Sequence, residues 1–352
     1  MNKSHWMIYG ANGYTGQLLA REAVRQGLTP ILAGRSVDGV EAIASELQLH
    51  ARIFDLADAG ASRSALDDVA VVAHCAGPFS ATSAPMIAAC LASGSHYVDI
   101  TGEIAVFEQA HAEDAAAQAA GVVICPGVGF DVIPTDCLAA CLKQALPDAS
   151  HLALGFDSAS GLSPGTAKTT VEGLKLGGQI RQDGRLRSVP LGFKNREIDF
   201  GRGAKNAVTI PWGDVATAYY STGIANIEVY LPMPAGVAAG MRVLTPLRGL
   251  LGKPFVQNWL KAQVSRRIAG PDTQTRARQP TWVWGEARNA RGQVKTARLQ
   301  TANGYDVTVH GALLAVHHLQ NYQGAGGYFT PSQLFGPRCV EQLPGSGSIL
   351  IE

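Results

Sequence analysis

Along the first third of the chain, short apolar runs alternate with polar, glycine-marked intervals. Residues 6–9, 30–33, 51–54, 69–74, 97–100 and 122–125 are apolar runs of strand length. The run at 69–74 is continuously apolar, as expected of a central strand in a parallel sheet covered on both faces. Residues 17–26, 37–47, 84–93 and 106–120 carry helical apolar spacing, with Gly27 and Gly121 placed as stops. Strands alternating with helices predict an α/β architecture, a doubly wound parallel sheet of Rossmann type. After Asp131 the rhythm changes. Residues 135–145 predict one more helix. Residues 152–156, 208–210, 227–231, 281–287 and 305–310 predict strands separated by long turn-rich stretches, and 311–320 a final helix. The expected division is a Rossmann domain over 1–132, an α+β substrate and dimerisation domain on a largely antiparallel sheet over 133–310, and a C-terminal helix and tail over 311–352 packing back on the first domain.

Composition sharpens this picture in few places. A length of 352 residues exceeds one ordinary core, which agrees with two domains. Charge is unevenly spread: residues 1–131 hold 14 acids against 6 Lys/Arg, whereas 241–300 hold 12 Lys/Arg against 2 acids. Such a split suits either pairing of the protein's own halves, the favoured reading, or an anionic partner for the basic half. Nothing in the motifs calls for nucleic acid. The six cysteines lie mostly among apolar neighbours with no ligand-like spacing, so buried thiols are expected and no metal site. The apolar stretch 229–252 is broken by Pro232, Pro234, Arg242, Pro246 and Arg248, which rules out an uninterrupted membrane helix. With no leader visible before Gly10, a cytoplasmic protein is the simplest expectation.

The chemistry concentrates at the strand ends. Gly10-Ala11-Asn12-Gly13-Tyr14-Thr15-Gly16 joins the first strand to the first helix. In that context the glycines predict a dinucleotide site. Gly10 makes the tight turn, Gly13 admits a pyrophosphate, Gly16 lets the helix pack closely, and the helix start offers N–H groups to the phosphates. The second strand ends at Arg35-Ser36, where an NAD-specific domain usually carries an acid. A guanidinium there suits a 2′-phosphate, and Ser36 can donate to the same group, so NADP(H) is the expected cofactor. Asp55 and Leu56 could border the adenine; a capping role for Asp55 is the alternative. Cys75-Ala76-Gly77-Pro78-Phe79 follows the fourth strand, and Thr101-Gly102 the fifth, both on the crevice side. Asp99, Glu103 and Asp131 are the ionisable groups closest to the expected reaction centre, with turn and capping roles as their alternatives.

No tyrosine is followed four residues on by lysine, so the Tyr-x-x-x-Lys pair of short-chain dehydrogenases is missing. Taken together, the glycine turn, Ala33-Gly34-Arg35, Ala76-Gly77-Pro78-Phe79, the stretch from Tyr97 to Glu103 and Gly129-Phe130-Asp131 resemble the saccharopine dehydrogenase-like oxidoreductases. The stretches from Ile210 to Asp214 and from Thr330 to Gly336 resemble the branch that includes trans-acting enoyl reductases. The resemblance implies NAD(P) binding, an α/β second domain and often a homodimer. Combined with the apolar 229–252 segment, it favours an NADP(H)-dependent reductase of an apolar or acyl-type substrate. A carrier- or CoA-linked acyl group and peripheral contact with an anionic membrane are options within that reading. A saccharopine-type amino-acid-linked dehydrogenase and a dinucleotide sensor or scaffold without turnover are the competing readings.

Overall fold

A computed structural model describes residues 3–158, 177–234 and 279–352, with isolated positions between 236 and 278. The chain divides into two compact units, residues 1–131 with 305–335, and residues 132–304 with 336–352.

The first unit follows the predicted alternation. Its elements are β1 (His5–Tyr9), α1 (Tyr14–Arg25), β2 (Ile31–Gly34), α2 (Val37–Leu47), β3 (Ala51–Ile53), α3 (Ala59–Ser64), β4 (Val69–His74), α4 (Phe79–Ser93), β5 (His96–Asp99), α5 (Ile104–Ala112), α6 (Asp114–Ala120) and β6 (Val123–Cys125). Later in the chain the unit gains α9 (Gly304–Gln320), β15 (Gly327–Tyr328) and α10 (Pro331–Phe335). The seven strands form one sheet in the order β15-β6-β5-β4-β1-β2-β3, and every pair is parallel. Chain order reverses between β1 and β4. A crevice opens at such a reversal, at the carboxyl ends of the strands. Met7, Ile8, Val71, Val72, Tyr97 and Val98 are fully buried, which accounts for the unbroken apolar runs.

The second unit opens with α7 (Ile133–Ala145). It continues through β7 (Ala149–Ser158), β8 (Gly178–Gln182), β9 (Arg185–Val189), β10 (Asn195–Asp199), β11 (Ala204–Ile210), α8 (Asp214–Thr222), β12 (Asn226–Pro232), β13 (Thr281–Asn289), β14 (Val294–Thr301) and β16 (Leu350–Ile351). The main path of its sheet is β10-β11-β12-β7-β13-β14-β16, with β8 beside β12 and β9 beside β8. All pairs are antiparallel except β12 with β7. α7 packs on one face through Leu138 and Leu142; a Cβ at Gly285 of β13 would come within 2.8 Å of the Leu142 side chain.

Two expectations are corrected. Residues 305–310 are the first turns of α9, not a strand. Their local alternation imitates a strand, but Val307, Gly311, Ala315 and Leu319 continue one buried helical stripe. The tail also divides. Residues up to 335 join the first unit, where β15 extends the parallel sheet beside β6. Residues 336–352 group with the second unit, because β16 hydrogen-bonds to β14. The apolar 229–252 segment begins in β12, and most of it lies outside the described residues.

Candidate dinucleotide site

The glycine turn continues β1 directly. The N–H groups of Gly10 and Ala11 both donate to the Ala33 carbonyl, at 2.8 and 3.1 Å, which binds the turn to β2. Gly10 has φ +85°, and a Cβ there would sit 2.7 Å from the Ala76 nitrogen, so only glycine fits. A Cβ at Gly16 would lie 2.2 Å from the Gly10 carbonyl, so this glycine lets α1 start against the turn itself. Gly13 differs: the one atom near an added Cβ is the Gly10 carbonyl oxygen at 3.2 Å, and its outer side is open. Gly13 caps α1 without any side-chain hydrogen bond, and the first turn of α1 holds no acid. Donors at a helix start, the positive end of the helix dipole and open space are the requirements of an anionic diphosphate, and the turn meets all of them. Thr15 and Tyr14 are half-buried, and the Tyr14 ring stands edge-on to Tyr305 of α9 at 5.2 Å.

The β2 side holds the residues expected to meet an adenosine half. Arg35 is exposed immediately beyond Gly34. Ser36 is the N-cap of α2, its hydroxyl accepting from the Gly39 N–H at 3.3 Å; its own proton remains available to donate. The Asn12 side chain fits against Gly34 and Gly39, where a Cβ at Gly39 would approach its amide nitrogen to 2.9 Å. Asp55 accepts from the Ala57 N–H at 2.9 Å, forming a local turn, whereas the cap of α3 is Asp58. Leu56 is buried beside it.

On the β4 side, the Cys75 N–H donates to the Tyr9 carbonyl at 2.7 Å, carrying loop 75–79 alongside the glycine turn. Burial pushes the Cys75 thiol up to about 12, so it is no nucleophile near neutral pH. Ala76 touches the Gly10 position, and Gly77 and Pro78 are exposed ahead of the buried Phe79. The Glu103 carboxylate reaches across to accept from the Phe79 and Ser80 N–H groups, both at 3.0 Å. It thus caps α4, whose own N-cap, Pro78, has no side chain to do so.

The three candidate acids therefore have different positions. Asp99 is fully buried and accepts from the Tyr97 hydroxyl at 2.6 Å and from the N–H groups of Thr101 and Gly127 at 3.0 and 2.8 Å. It fastens the loops after β5 and β6 to each other. Burial raises its carboxyl to about 6, and these hydrogen bonds hold it below a still higher value. The Thr101 hydroxyl accepts from the Glu103 N–H at 3.1 Å. Asp131 follows the loop after β6, which the Thr308 hydroxyl of α9 secures by accepting from the Phe130 N–H at 3.0 Å. A Cβ at Gly102 would lie 2.6 Å from Asp131 Oδ2, so the two loops meet there. Asp131 keeps partial solvent contact, and burial of its carboxyl raises it to about 7. Asp131 thus combines solvent access with a value suited to proton transfer at neutral pH, whereas Asp99 is fully buried. Sequence reasoning passed over His74 and Thr82, whose only signal was a histidine inside an apolar strand.

Comparison with known proteins agrees with this geometry. Residues 6–125 match the saccharopine dehydrogenase NADP binding domain family. The saccharopine dehydrogenase-like oxidoreductase of Homo sapiens is 29% identical over 154 residues, covering 38% of this chain and 35% of that one. The trans-acting enoyl reductase of Mycobacterium leprae is 34% identical over 140 residues, covering 37% and 33%. The chain thus spans about a third of the length of these curated relatives. Saccharopine dehydrogenase (L-Glu forming) from Saccharomyces cerevisiae shares the fold over 99% of both chains, with a TM-score of 0.67 at 11% identity. The resemblance to saccharopine dehydrogenase-like oxidoreductases is borne out, and residues 6–125 are similar to the NADP binding domain of that family.

Proposed function

We propose that the protein is an NADP(H)-dependent oxidoreductase that reduces an apolar or acyl-type substrate, in the manner of an enoyl reductase. The observation that carries the cofactor assignment is Arg35, exposed at the end of β2 where a discriminating acid would exclude a 2′-phosphate. Its guanidinium pairs with the phosphate, with Ser36 adding a hydroxyl donor. The N–H groups at the start of α1 hold the pyrophosphate. Bound in this way, the dinucleotide supplies or accepts a hydride. Asp131 delivers or removes the accompanying proton; a carboxyl near 7 holds both forms at working pH. Asp99 and Glu103 keep the surrounding loops in place.

The relatives named enoyl reductases favour the acyl reading. The most apolar stretch of the sequence, 229–252, suits a lipid-like substrate better than a zwitterionic one. A carrier- or CoA-linked acyl group, a homodimer and peripheral contact with an anionic membrane belong to this proposal. The test begins with titration of NADPH and NADH into wild type and Arg35→Ala. Loss of a charge-assisted pair should weaken NADPH by roughly one to two decades, about 1.5–3 kcal/mol, and leave NADH nearly unchanged. Equal wild-type affinity for the two cofactors refutes the NADP assignment. Deuteride transfer from labelled NADPH to enoyl thioesters, and to keto acid–amine pairs, then identifies the substrate class. Turnover on the amine panel alone favours a saccharopine-type dehydrogenase; turnover on neither favours a sensor.

A further inference from the structure

We propose that His74 and Thr82 are positioning residues of the dinucleotide site: together they hold loop 75–79 against the glycine turn through a partly buried hydrogen-bond relay. This rests on the dinucleotide reading above.

His74 ends β4 and is fully buried, between Tyr9 of β1 and Phe79, which it meets edge-on at 5.3 Å. Its Nε2 lies 3.0 Å from the Thr82 hydroxyl oxygen. That hydroxyl in turn lies 2.6 Å from the Ala76 carbonyl and 3.1 Å from the Pro78 carbonyl. A hydroxyl has one proton, and the 2.6 Å contact with the Ala76 carbonyl, an acceptor only, requires it there rather than on Nε2 at 3.0 Å. Thr82 therefore donates to loop 75–79 and accepts from His74, which fixes the imidazole as the Nε2–H tautomer. Nδ1 is then a buried acceptor without a partner among the described residues. Desolvation holds the ring neutral, down to about 3, so the donor at Nε2 persists across the physiological range.

The relay acts on the atoms that matter to the turn. An added Cβ at Gly10 would be 2.7–2.8 Å from the nitrogen, Cα and Cβ of Ala76. With so little clearance, loop 75–79 and the glycine turn cannot move separately. Without Thr82 the Ala76 carbonyl loses its short partner; without His74 the hydroxyl is free to swing from Ala76 toward Pro78. Strand order assigns the affected half of the ligand. Loop 75–79 follows β4, on the opposite side of β1 from β2 and Arg35. The relay should therefore act on the nicotinamide half and leave the adenosine half alone.

Thr82→Val removes the hydroxyl at nearly constant volume, and Thr82→Ser keeps it. His74→Phe removes Nε2–H, keeps an aromatic ring among aromatic neighbours and deletes the unpartnered Nδ1. Each variant is titrated with NADPH and with adenosine 2′,5′-bisphosphate, which carries the adenosine half alone, and its thermal stability is recorded. The expected result is a roughly five- to tenfold weaker NADPH affinity for Thr82→Val and His74→Phe. Binding of the bisphosphate should be unchanged, Thr82→Ser close to wild type, and His74→Phe no less stable than wild type. Wild-type NADPH affinity in both variants overturns the proposal. So does equal weakening of both ligands, or loss of NADPH affinity only in step with lost stability, since each marks a general structural role. Should the wild type bind neither ligand, the dinucleotide reading fails and the relay has nothing to position.

Discussion

At the scale of single residues, the glycines of the turn separate into two that the backbone requires and one that a ligand would require. Gly10 and Gly16 have no room for a side chain in the folded protein itself. Gly13 has room, limited by a single carbonyl oxygen at 3.2 Å. Gly13→Val should therefore fold with at most a modest loss of stability and lose NADPH binding, because the added carbons enter the space assigned to the pyrophosphate. Circular dichroism with NADPH titration checks this; normal binding by the variant would place the phosphates elsewhere. Asp131 gives a prediction in pH. Its carboxyl is raised from 3.8 to about 7 in the folded chain. Between those values the folded state keeps a proton that the unfolded state has released, so this residue makes stability fall as pH rises from about 4 to 7. An amide in place of the carboxyl would carry no such titration. Asp131→Asn should thus gain on wild type across that window, reaching roughly 1–3 kcal/mol by pH 8, a figure reduced for the solvent contact the carboxyl keeps. Denaturant melts at pH 4.5 and pH 8 would show it, and a gap that does not widen with pH would mean the carboxyl is not held neutral. Loss of turnover in the same variant, with NADPH affinity retained, would agree with a proton-transfer role.

At the scale of elements, Glu103 shows how a residue suited to catalysis can serve a neighbouring helix. It receives two N–H groups of α4 from a different loop. Glu103→Ala should lower stability by about 1–2 kcal/mol through the uncapped helix end. Glu103→Gln, which keeps one acceptor, should lose less and retain most turnover. Abolished turnover in a stable Glu103→Gln variant would return Glu103 to the reacting groups. The sequence made much of this unit legible, and for a physical reason. Strands buried on both faces, such as β4, and helices with a clear stripe and cap, such as α2 behind Ser36, carry their bounds in local pattern. α3 is short and its cap, Asp58, was overshadowed by Asp55. β8 to β10 are partly exposed strands of mixed composition, whose apolar pattern is too thin to read. Of the candidate site, the glycine turn and Arg35 could be read because each lies in a contiguous local motif. The cap by Glu103, the loop clasp by Asp99 and the pair His74–Thr82 are contacts between loops or turns, which local spacing does not encode.

At the scale of the whole molecule, the open matter is the basic stretch 241–300. Among the described residues, Arg291 pairs with Asp148 at 2.7 Å, and Arg298 with Glu352 at 2.9 Å while also donating to the Asp199 carbonyl, all within the second unit. These pairs lie at the surface and contribute little stability each. They show that part of the charge is used locally, among acids of the second unit. Lys261, Arg266 and Arg267 fall outside the described residues, in a stretch of sequence with one acid, Asp272, between residues 254 and 285. Clustered cations of this kind raise encounter rates with an anionic surface, and salt screens the effect over about 8 Å at physiological ionic strength. An acyl substrate delivered on an acidic carrier or held in an anionic membrane would gain from that attraction. The double variant Arg266→Glu with Arg267→Glu reverses the charge of this part of the sequence. If the stretch receives such a partner, wild type should bind acidic vesicles or acidic carrier protein at low salt and release them at high salt. The variant should bind neither while melting at the wild-type temperature. If the charges instead serve the protein's own assembly, wild type should ignore both partners at any salt, and the variant should lose stability or dissociate into smaller species on a sizing column.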